Sequence, residues 1–311
     1  MTQNSTVDSD VMPFTIRPAT FEDNRAVFDI FQNAILDLGD RLGVETISGG
    51  HDPDARDSLW QRRKPLMKHL TRTAESYWVA EAGGQVIGYA RTLQRDDVRQ
   101  LSDFFVLPAR QSAGVGRALL QAALPADRPG KRVIIATPDT RAQIRYLKSG
   151  VYPRFPVHYF YKQAQPTSYE TYLTFEPMQP NQDLIEALNQ IDREVIGYAR
   201  PVDHLWLMRN RQGFVYKRTN IPVGYGYISS SSGPFAALDA SDYPAILAHA
   251  ETLIATRNGK FGVEVPLINQ HAVDYVLAHG FHMEAFYCNF MSSEPIGRYE
   301  NYLVTSPSFF S

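Results

Sequence analysis

The sequence predicts an α/β protein with two tandem domains, each a mostly antiparallel, twisted mixed sheet flanked by helices. Three observations favour this fold class. The length of 311 residues suits about two domains. Short apolar runs of strand length alternate with amphipathic patterns of helical period. The order of these elements in the first half recurs in the second half, which indicates an internal repeat.

The first half opens with a polar tail over residues 1–12 and a short strand that Pro18 ends. Thr20 is a candidate cap for the first helix, and Asp23 adds a carboxylate near the helix start. Gly83 and Gly84 form a hairpin signal between two strands. The predicted elements are a strand at 14–17, helices at 20–38 and 58–71 around a loop at 39–57, strands at 77–81, 86–91 and 101–107, a helix stopped by Pro125, a strand at 132–136, a helix at 141–148 and a strand at 157–161.

The second half follows a proline-containing linker over residues 163–183, so we place the domains at 1–165 and 166–311. The stretch from Arg200 to His204 is expected to be a polar turn. The predicted elements are a helix at 184–195, strands at 213–217, 223–228 and 234–238, a helix at 243–257, a strand at 261–265 and a helix at 272–278 that ends at Gly280.

The two halves align residue by residue at several points. The matched pairs are Trp78 with Phe214, Val79 with Val215, Gly88 with Gly224 and Tyr89 with Tyr225 at one offset, and Ala142 with Ala272 and Gly150 with Gly280 at a slightly shorter one. Each match alone is weak, but together with the shared order of elements they favour a repeat over the alternative of two unrelated α/β domains.

Composition narrows the class of protein. A formal net charge of −2 gives no global basic field that would hold a nucleic acid backbone. The single cysteine, Cys288, cannot form an internal disulfide or a cysteine-based zinc site, so we expect a reducing cytoplasm. No leader peptide or membrane-spanning run is expected, and the histidines do not cluster at metal-binding spacing.

The most informative motif is Gln111-x-x-Gly114-x-Gly116, which follows a strand and opens an amphipathic helix. Glycines let the backbone approach a ligand and point its N–H groups at an anion, and the helix N-terminus adds about half a positive charge. This pattern predicts a pyrophosphate cradle, with an ordinary strand-to-helix turn as the alternative. A dinucleotide fingerprint would need glycine where Leu119 stands, and no Walker lysine follows.

At this motif the chain resembles the GCN5-related N-acetyltransferase (GNAT) superfamily. Ile16-Arg17-Pro18-Ala19 resembles the family's opening, and the helix from Arg141 to Gly150, with Tyr146, resembles its late tyrosine helix. The resemblance covers residues 14–162, the first copy, and more faintly 182–292, the second copy. The family often has Gly and Arg where this chain has Ser112 and Ala113, and the lost basic side chain weakens the expected grip on pyrophosphate.

The resemblance implies a site for acetyl-CoA beside the fourth strand and transfer of its acetyl group to a primary amine of a small molecule in a ternary complex. Tyr146 is the candidate general acid, with a helix tyrosine packed on the sheet as the alternative. The implied cofactor-binding residues are Phe105, Val106 and Leu107 for the pantetheine arm, and Gln111, Ser112, Ala113, Gly114, Val115, Gly116 and Arg117 for the pyrophosphate.

The sequence indicates the general base less clearly than the general acid. Glu81 and Asp103 are the candidate carboxylates, each with a structural ion pair or hydrogen bond as the alternative, and a water relay through Ser102 is a further route. Other classes also fit: a non-catalytic acyl-CoA sensor or scaffold, or an enzyme that uses another acyl-CoA or a peptide N-terminus.

The second copy is expected to be catalytically silent. Where the phosphate loop should lie it has no glycine pair, and Asp239 and Asp242 would repel a pyrophosphate there. Val276 stands at the position that aligns with Tyr146. Packing, walling of the acceptor site or homodimerisation are the roles left open for this copy.

Overall fold

A computed structural model describes residues 13–44, 52–111, 113–229 and 232–305. Two sheets and eight α-helices make up the described chain. The strands are β1 (Thr15–Pro18), β2 (Ala74–Ala82), β3 (Gln85–Arg95), β4 (Val98–Val106), β5 (Lys131–Ala136), β6 (Tyr152–Gln163), β7 (Thr174–Pro177), β8 (Gln212–Arg218), β9 (Ile221–Ile228), β10 (Phe235–Ala237), β11 (Lys260–Pro266), β12 (His282–Ser292) and β13 (Tyr302–Leu303). The helices are α1 (Asn24–Leu42), α2 (Pro53–Thr73), α3 (Val115–Ala123), α4 (Thr140–Lys148), α5 (Gln182–Val195), α6 (Pro201–Asn210), α7 (Tyr243–Ala255) and α8 (Gln270–Ala278).

The chain divides into two compact units, and neither matches one half of the sequence. One unit comprises residues 1–38, 47–92 and 103–126, and the other holds the remainder. Strands β3 and β4 each contribute residues to both units. The domain boundary near residue 165 stays a prediction, whereas the mixed α/β class with one large mixed sheet and a second antiparallel sheet is confirmed.

Two helices differ from the sequence expectations. Helix α2 begins at Pro53, earlier than expected, because the side chain of Asp52 accepts a hydrogen bond from the Asp54 amide and proline suits the first helical position. The expected polar turn at residues 200–204 is wrong. Helix α6 starts there with Pro201 in its first turn and buries Asp203, His204 and Leu207.

The larger sheet has the order β1-β2-β3-β4-β5-β12-β6-β11. Strands β4 and β5 pair in parallel, with Val98–Leu101 beside Lys131–Ile134. The pairs β1–β2, β5–β12, β12–β6 and β6–β11 are antiparallel. The smaller sheet is antiparallel, with the order β13-β10-β9-β8-β7. None of the helices in the described ranges is long and apolar enough to cross a membrane.

The two copies exchange their last long strands within the second unit. Strand β6, the last of the first copy, lies between β12 and β11 of the second copy. Strand β12 in turn lies between β5 and β6. Because each exchanged strand supplies backbone hydrogen bonds to the other copy, both copies are needed to complete this part of the sheet.

The exchange places a first-copy side chain in the second copy's core. Phe160 of β6 is fully buried in an apolar cluster that includes Phe261, Val263 and Tyr275. A large apolar side chain in such a position contributes through both the area removed from water and the space it fills.

We expect Phe160→Ala to lower the free energy of unfolding by about 3–5 kcal/mol, because it removes a buried ring and leaves a cavity. Chemical denaturation followed by circular dichroism measures the change. Tyr172→Ala is the control, since Tyr172 is 95% exposed and its replacement should alter stability by no more than about 0.5 kcal/mol. A loss below about 1 kcal/mol for Phe160→Ala would contradict a shared core.

Candidate functional site

The end of β4 leads into a tight turn held by backbone and side-chain hydrogen bonds. The Leu107 amide donates to the Ile87 carbonyl at 2.9 Å, so pairing with β3 continues to the end of the strand. Pro108–Arg110 form a single 3₁₀ turn. The Gln111 side-chain amide then reaches back and donates to the Val106 carbonyl at 3.1 Å. The motif's glutamine thereby fixes the loop against the strand that precedes it.

Gly114 starts α3 in a left-handed conformation, with φ of +85°. An added Cβ would meet nothing within 4 Å, so the backbone angle, not space, favours glycine here. No side chain caps this helix. The first hydrogen bond within the helix runs from the Ala118 amide to the Gly114 carbonyl at 3.1 Å.

Three amides of the first helical turn precede that bond. They belong to Val115, Gly116 and Arg117, and they lie at the positive end of the helix dipole. Helix α3 buries Val115, Leu119, Leu120 and Ala123, which fixes the helix and therefore the direction of the amides. Ser112, which was expected to contribute to the cradle, lies outside the described residues. The arrangement suits an anionic ligand with several oxygen acceptors.

The implied pantetheine residues occupy the last part of β4 and the residue after it. Val106 is buried, whereas Phe105 and Leu107 are half-buried. Phe105 packs edge-on against Phe31 of α1, with ring centroids 5.0 Å apart. The parallel pairing with β5 covers only the first four residues of β4, and the strand continues beyond it to Val106.

Asp103 lies on β4, buried under the α1–α2 side of the sheet. Its carboxylate is 3.7 Å from the Arg91 Nε, and the Tyr89 hydroxyl donates to it at 3.5 Å. Burial raises the pKa of the Tyr89 phenol well above its usual value, so this hydroxyl keeps its proton. The sequence did not single out Arg91. Its position two residues after Tyr89 in the same strand could have indicated it, because side chains two residues apart in a strand lie on the same face of the sheet.

Glu81 lies apart from Asp103, on β2, in an ion-pair network at the start of the chain. Arg17 donates from Nε to the Glu81 carboxylate at 2.8 Å and from its terminal nitrogens to Asp23 at 2.8 and 2.9 Å. The Thr20 amide also donates to Asp23 at 2.8 Å. Glu81 thus has the ion pair that the structural alternative requires, and its role as a base stays a prediction.

Tyr146 belongs to the second unit, in α4. Asp139 caps this helix by accepting from the Ala142 amide at 3.0 Å, and Gly150, with φ of +72°, follows its end. Tyr146 is buried, and burial raises the pKa of its phenol. The phenol is therefore neutral at physiological pH, which is the form that donates a proton. Its role as the general acid stays a prediction.

The second copy carries its own carboxylates where the first copy has the phosphate loop. Asp239 accepts from the Ser241 amide at 2.9 Å, and Asp242 pairs with Arg218 at 2.6 Å, just before α7. Val276 is fully buried in α8. Among the described residues no group of histidine, cysteine or carboxylate side chains could hold a metal ion.

Comparisons with known proteins find a related family model and related folds. Residues 73–153 match a family model described as an acetyltransferase (GNAT) domain. No curated protein sequence matches the chain. Several solved structures share the fold over nearly the whole chain. They include a Pyrococcus horikoshii protein described as an acetyltransferase (16% identity, TM-score 0.70, 97% of this chain and 96% of that one), a tandem GNAT protein from the clavulanic acid biosynthesis pathway (12%, 0.59, 91% and 99%) and a GCN5-related N-acetyltransferase from Sphaerobacter thermophilus (15%, 0.57, 91% and 98%).

The Arg17 network leads to a pH prediction. The hydrogen bond from Arg17 holds the pKa of Asp23 below its usual value. A lowered carboxyl pKa adds stability above the unfolded-state pKa of about 3.9, and that stability is lost as the pH falls through the folded-state pKa. We expect Asp23→Asn to cost about 1 kcal/mol at pH 7 and progressively less below about pH 4. Urea unfolding across pH measures this, with Asp127→Asn as the exposed control. A cost that is independent of pH would contradict it.

Proposed function

We propose that the chain is an N-acetyltransferase, because residues 73–153 match an acetyltransferase (GNAT) family model and the chain shares the fold of a tandem GNAT protein. The enzyme transfers the acetyl group of acetyl-CoA to a primary amine of a small molecule. The observation that carries the proposal is the uncapped N-terminus of α3, where the amides of Val115, Gly116 and Arg117 have no acceptor within the helix.

Acetyl-CoA fits the residues that are present. The amides of Val115, Gly116 and Arg117 supply donors for its pyrophosphate, and the open space at Gly114 lets phosphate oxygens approach the backbone. We assign the pantetheine arm to the backbone of Phe105–Leu107. When bound, the thioester supplies an activated acyl group, and the remaining chemistry is positioning, proton transfer and charge stabilisation.

The chain's own groups then act in order. A carboxylate, Asp103 or Glu81, accepts the proton that the ammonium of the substrate must lose before its nitrogen can attack. A backbone N–H of β4 stabilises the charge that develops on the carbonyl oxygen. The carbon–sulfur bond breaks, and Tyr146 donates its proton to the departing thiolate. The pKa of the phenol lies above that of the thiol, so transfer of the proton to the thiolate is unfavourable by itself. Surrounding groups must therefore stabilise the phenolate that is left.

The second copy acts structurally in this proposal. Asp239 caps the turn just before its α7 and Asp242 stands at the start of that helix, so a pyrophosphate would meet negative charge there. One acetyl-CoA per chain is the expected stoichiometry. We place the reaction in the cytoplasm, because the single thiol, Cys288, suits a reducing compartment.

Calorimetric titration of acetyl-CoA into the full chain tests the cofactor site. We expect micromolar binding at one site per chain, at least tenfold weaker in Gly114→Val, because a β-branched residue disfavours a positive φ and reshapes the loop. Gly84→Val is the matched control, since Gly84 has φ of +74° and equally open space but lies in the β2–β3 turn. It should lose comparable stability yet bind normally.

Binding that survives in Gly114→Val and also in Gly116→Trp would place the cofactor elsewhere. Normal binding with no turnover on any amine would favour an acyl-CoA sensor or scaffold. Competition by longer acyl-CoAs would separate acyl-chain preferences.

Tyr146→Phe tests the general acid. We expect kcat to fall by about 10²–10⁴-fold with little change in the KM for acetyl-CoA, because only the donated proton is lost. Since burial raises the pKa of Tyr146, the wild-type rate should not decline through its deprotonation below about pH 10. Tyr152→Phe, at an exposed position, is the control. A fall of less than threefold would identify Tyr146 as a packing residue.

A further inference from the structure

Arg91 is a buried, charged side chain to which the proposed chemistry gives no role. Its residue exposure is 0%, on β3 within the first unit. Within the described part of the chain, Nε and both terminal nitrogens lack a hydrogen-bond partner. A guanidinium carries five N–H donors and stays charged, so enclosing it without acceptors is costly. Asp103 is its ion-pair partner, but at 3.7 Å it is beyond hydrogen-bond distance, so the donors of Arg91 are left for a ligand to satisfy.

The groups around Arg91 define what that partner must be. The Tyr77 ring covers one face of the guanidinium, with its centroid 4.2 Å from Cζ. Burial raises the pKa of Tyr77 to about 12, so the ring is neutral at physiological pH. Asp103 is the nearby opposite charge, at 3.7 Å. An incoming ligand therefore meets one fixed cation and one fixed anion side by side.

The second copy offers an internal comparison. Arg200 is equally buried, but its Nε donates to Asp192 at 2.9 Å and a terminal nitrogen donates to the Tyr225 hydroxyl at 2.6 Å. His204 and the Tyr225 hydroxyl also hydrogen-bond Asp192. Tyr225 aligns with Tyr89 in the repeat, so both copies bury arginine, carboxylate and tyrosine groups near this strand position. The second copy satisfies most of its arginine internally, whereas the first does not.

The register places Arg91 next to the reaction centre proposed above. The bond from the Leu107 amide to the Ile87 carbonyl sets β3 against β4. Counting in steps of two puts Tyr89 opposite Phe105, with ring centroids 6.0 Å apart, and Arg91 opposite Asp103. The two charged groups therefore lie side by side, with the Arg91 Nε 3.7 Å from the Asp103 carboxylate.

We propose that Arg91 binds the carboxylate of the acceptor and that the acceptor is a small zwitterionic amino acid, whose ammonium group lies at Asp103. This inference rests on the proposed acetyltransferase function. Each charge of the ligand meets its opposite, so the buried site gains no net charge. A planar carboxylate also matches the fork of the guanidinium, which binds two oxygens at once.

The same arrangement orients the reacting nitrogen. With the carboxylate held at β3, the ammonium lies against β4, where the Asp103 carboxylate accepts its proton. The nitrogen lone pair then attacks the thioester carbon, the carbon–sulfur bond breaks, and the products are an N-acetylated amino acid and free CoA thiol. Arg91 and Tyr77 are enclosed beneath α1 and α2, because the Tyr77 hydroxyl donates to Asn24 and its ring packs with Phe28 and Trp60. The acceptor enters only when this cover moves.

Matched substrates test the inference on the wild-type chain. Release of CoA thiol is followed with alanine and alaninamide, and with β-alanine and its amide, at saturating acetyl-CoA. We expect the acids to be preferred by about 10- to 100-fold in kcat/KM, because each amide lacks the charged acceptor for Arg91. Equal rates on acid and amide would overturn the proposal.

Variants then assign the preference to Arg91. We expect Arg91→Gln to remove the preference and Arg91→Lys to retain part of it. Thermal unfolding of Arg91→Gln and of the double variant Arg91→Gln/Asp103→Asn, which leaves no uncompensated buried charge, shows whether the fold survives. The double variant also lacks the proposed base, so it controls for folding and not for turnover. Arg200→Gln is the matched control, a buried arginine outside the site, and should keep the preference. Persistence of the preference in Arg91→Gln would mean that internal water, not substrate, completes the guanidinium.

A binding measurement separates this inference from the proposed function. Thermal unfolding is recorded with millimolar alanine or alaninamide in the absence of acetyl-CoA. Stabilisation by alanine alone, lost in Arg91→Gln, would support the amino acid site even if acetyl-CoA failed to bind. Binding of acetyl-CoA without any response to amino acids, together with turnover of neutral amines, would refute the site and leave the acetyltransferase intact.

Discussion

The exchange of β6 and β12 is the constraint on which the larger sheet depends. Strand β6 is hydrogen-bonded on both sides to strands of the second copy, and β12 links β5 to β6. Backbone groups in a buried sheet must be paired, so neither copy can complete its own sheet from its own residues. The core follows from this pairing, because Phe160 of the first copy packs with Phe261 and Val263 of the second. The folding of the two copies is therefore coupled through main-chain hydrogen bonds as well as through side chains.

Local patterns in the sequence predicted most of the elements and the cradle, because both are short-range properties. The apolar period, Gly83–Gly84 and Gly114 each act within a few residues, and the structure places a hairpin and a helix start there. The GNAT fold is confirmed, whereas the individual catalytic roles stay predictions. Helix α6 was missed because Pro201 was read as a turn residue, although proline equally suits a first helical turn.

Long-range features could not be predicted from the same patterns. A strand's period shows that it is buried, but it does not show which partner lies beside it, so the exchange of β6 and β12 was hidden. Arg91 was hidden for a related reason. A charged residue in a strand is usually exposed, and only the neighbouring strands and helices show that Tyr77 and Asp103 enclose this one.

The exchanged strands also suggest why both copies of a repeat are retained while their sequences diverge. The strands of the second copy are needed for stability, since β12 and β11 supply hydrogen bonds to β5 and β6. The loop before α7 is not needed in the same way, and it has Asp239 and Asp242 where the first copy has a glycine pair. Ligand contacts on one copy are thus free to drift, but a deletion of the whole copy would remove the neighbour of β5.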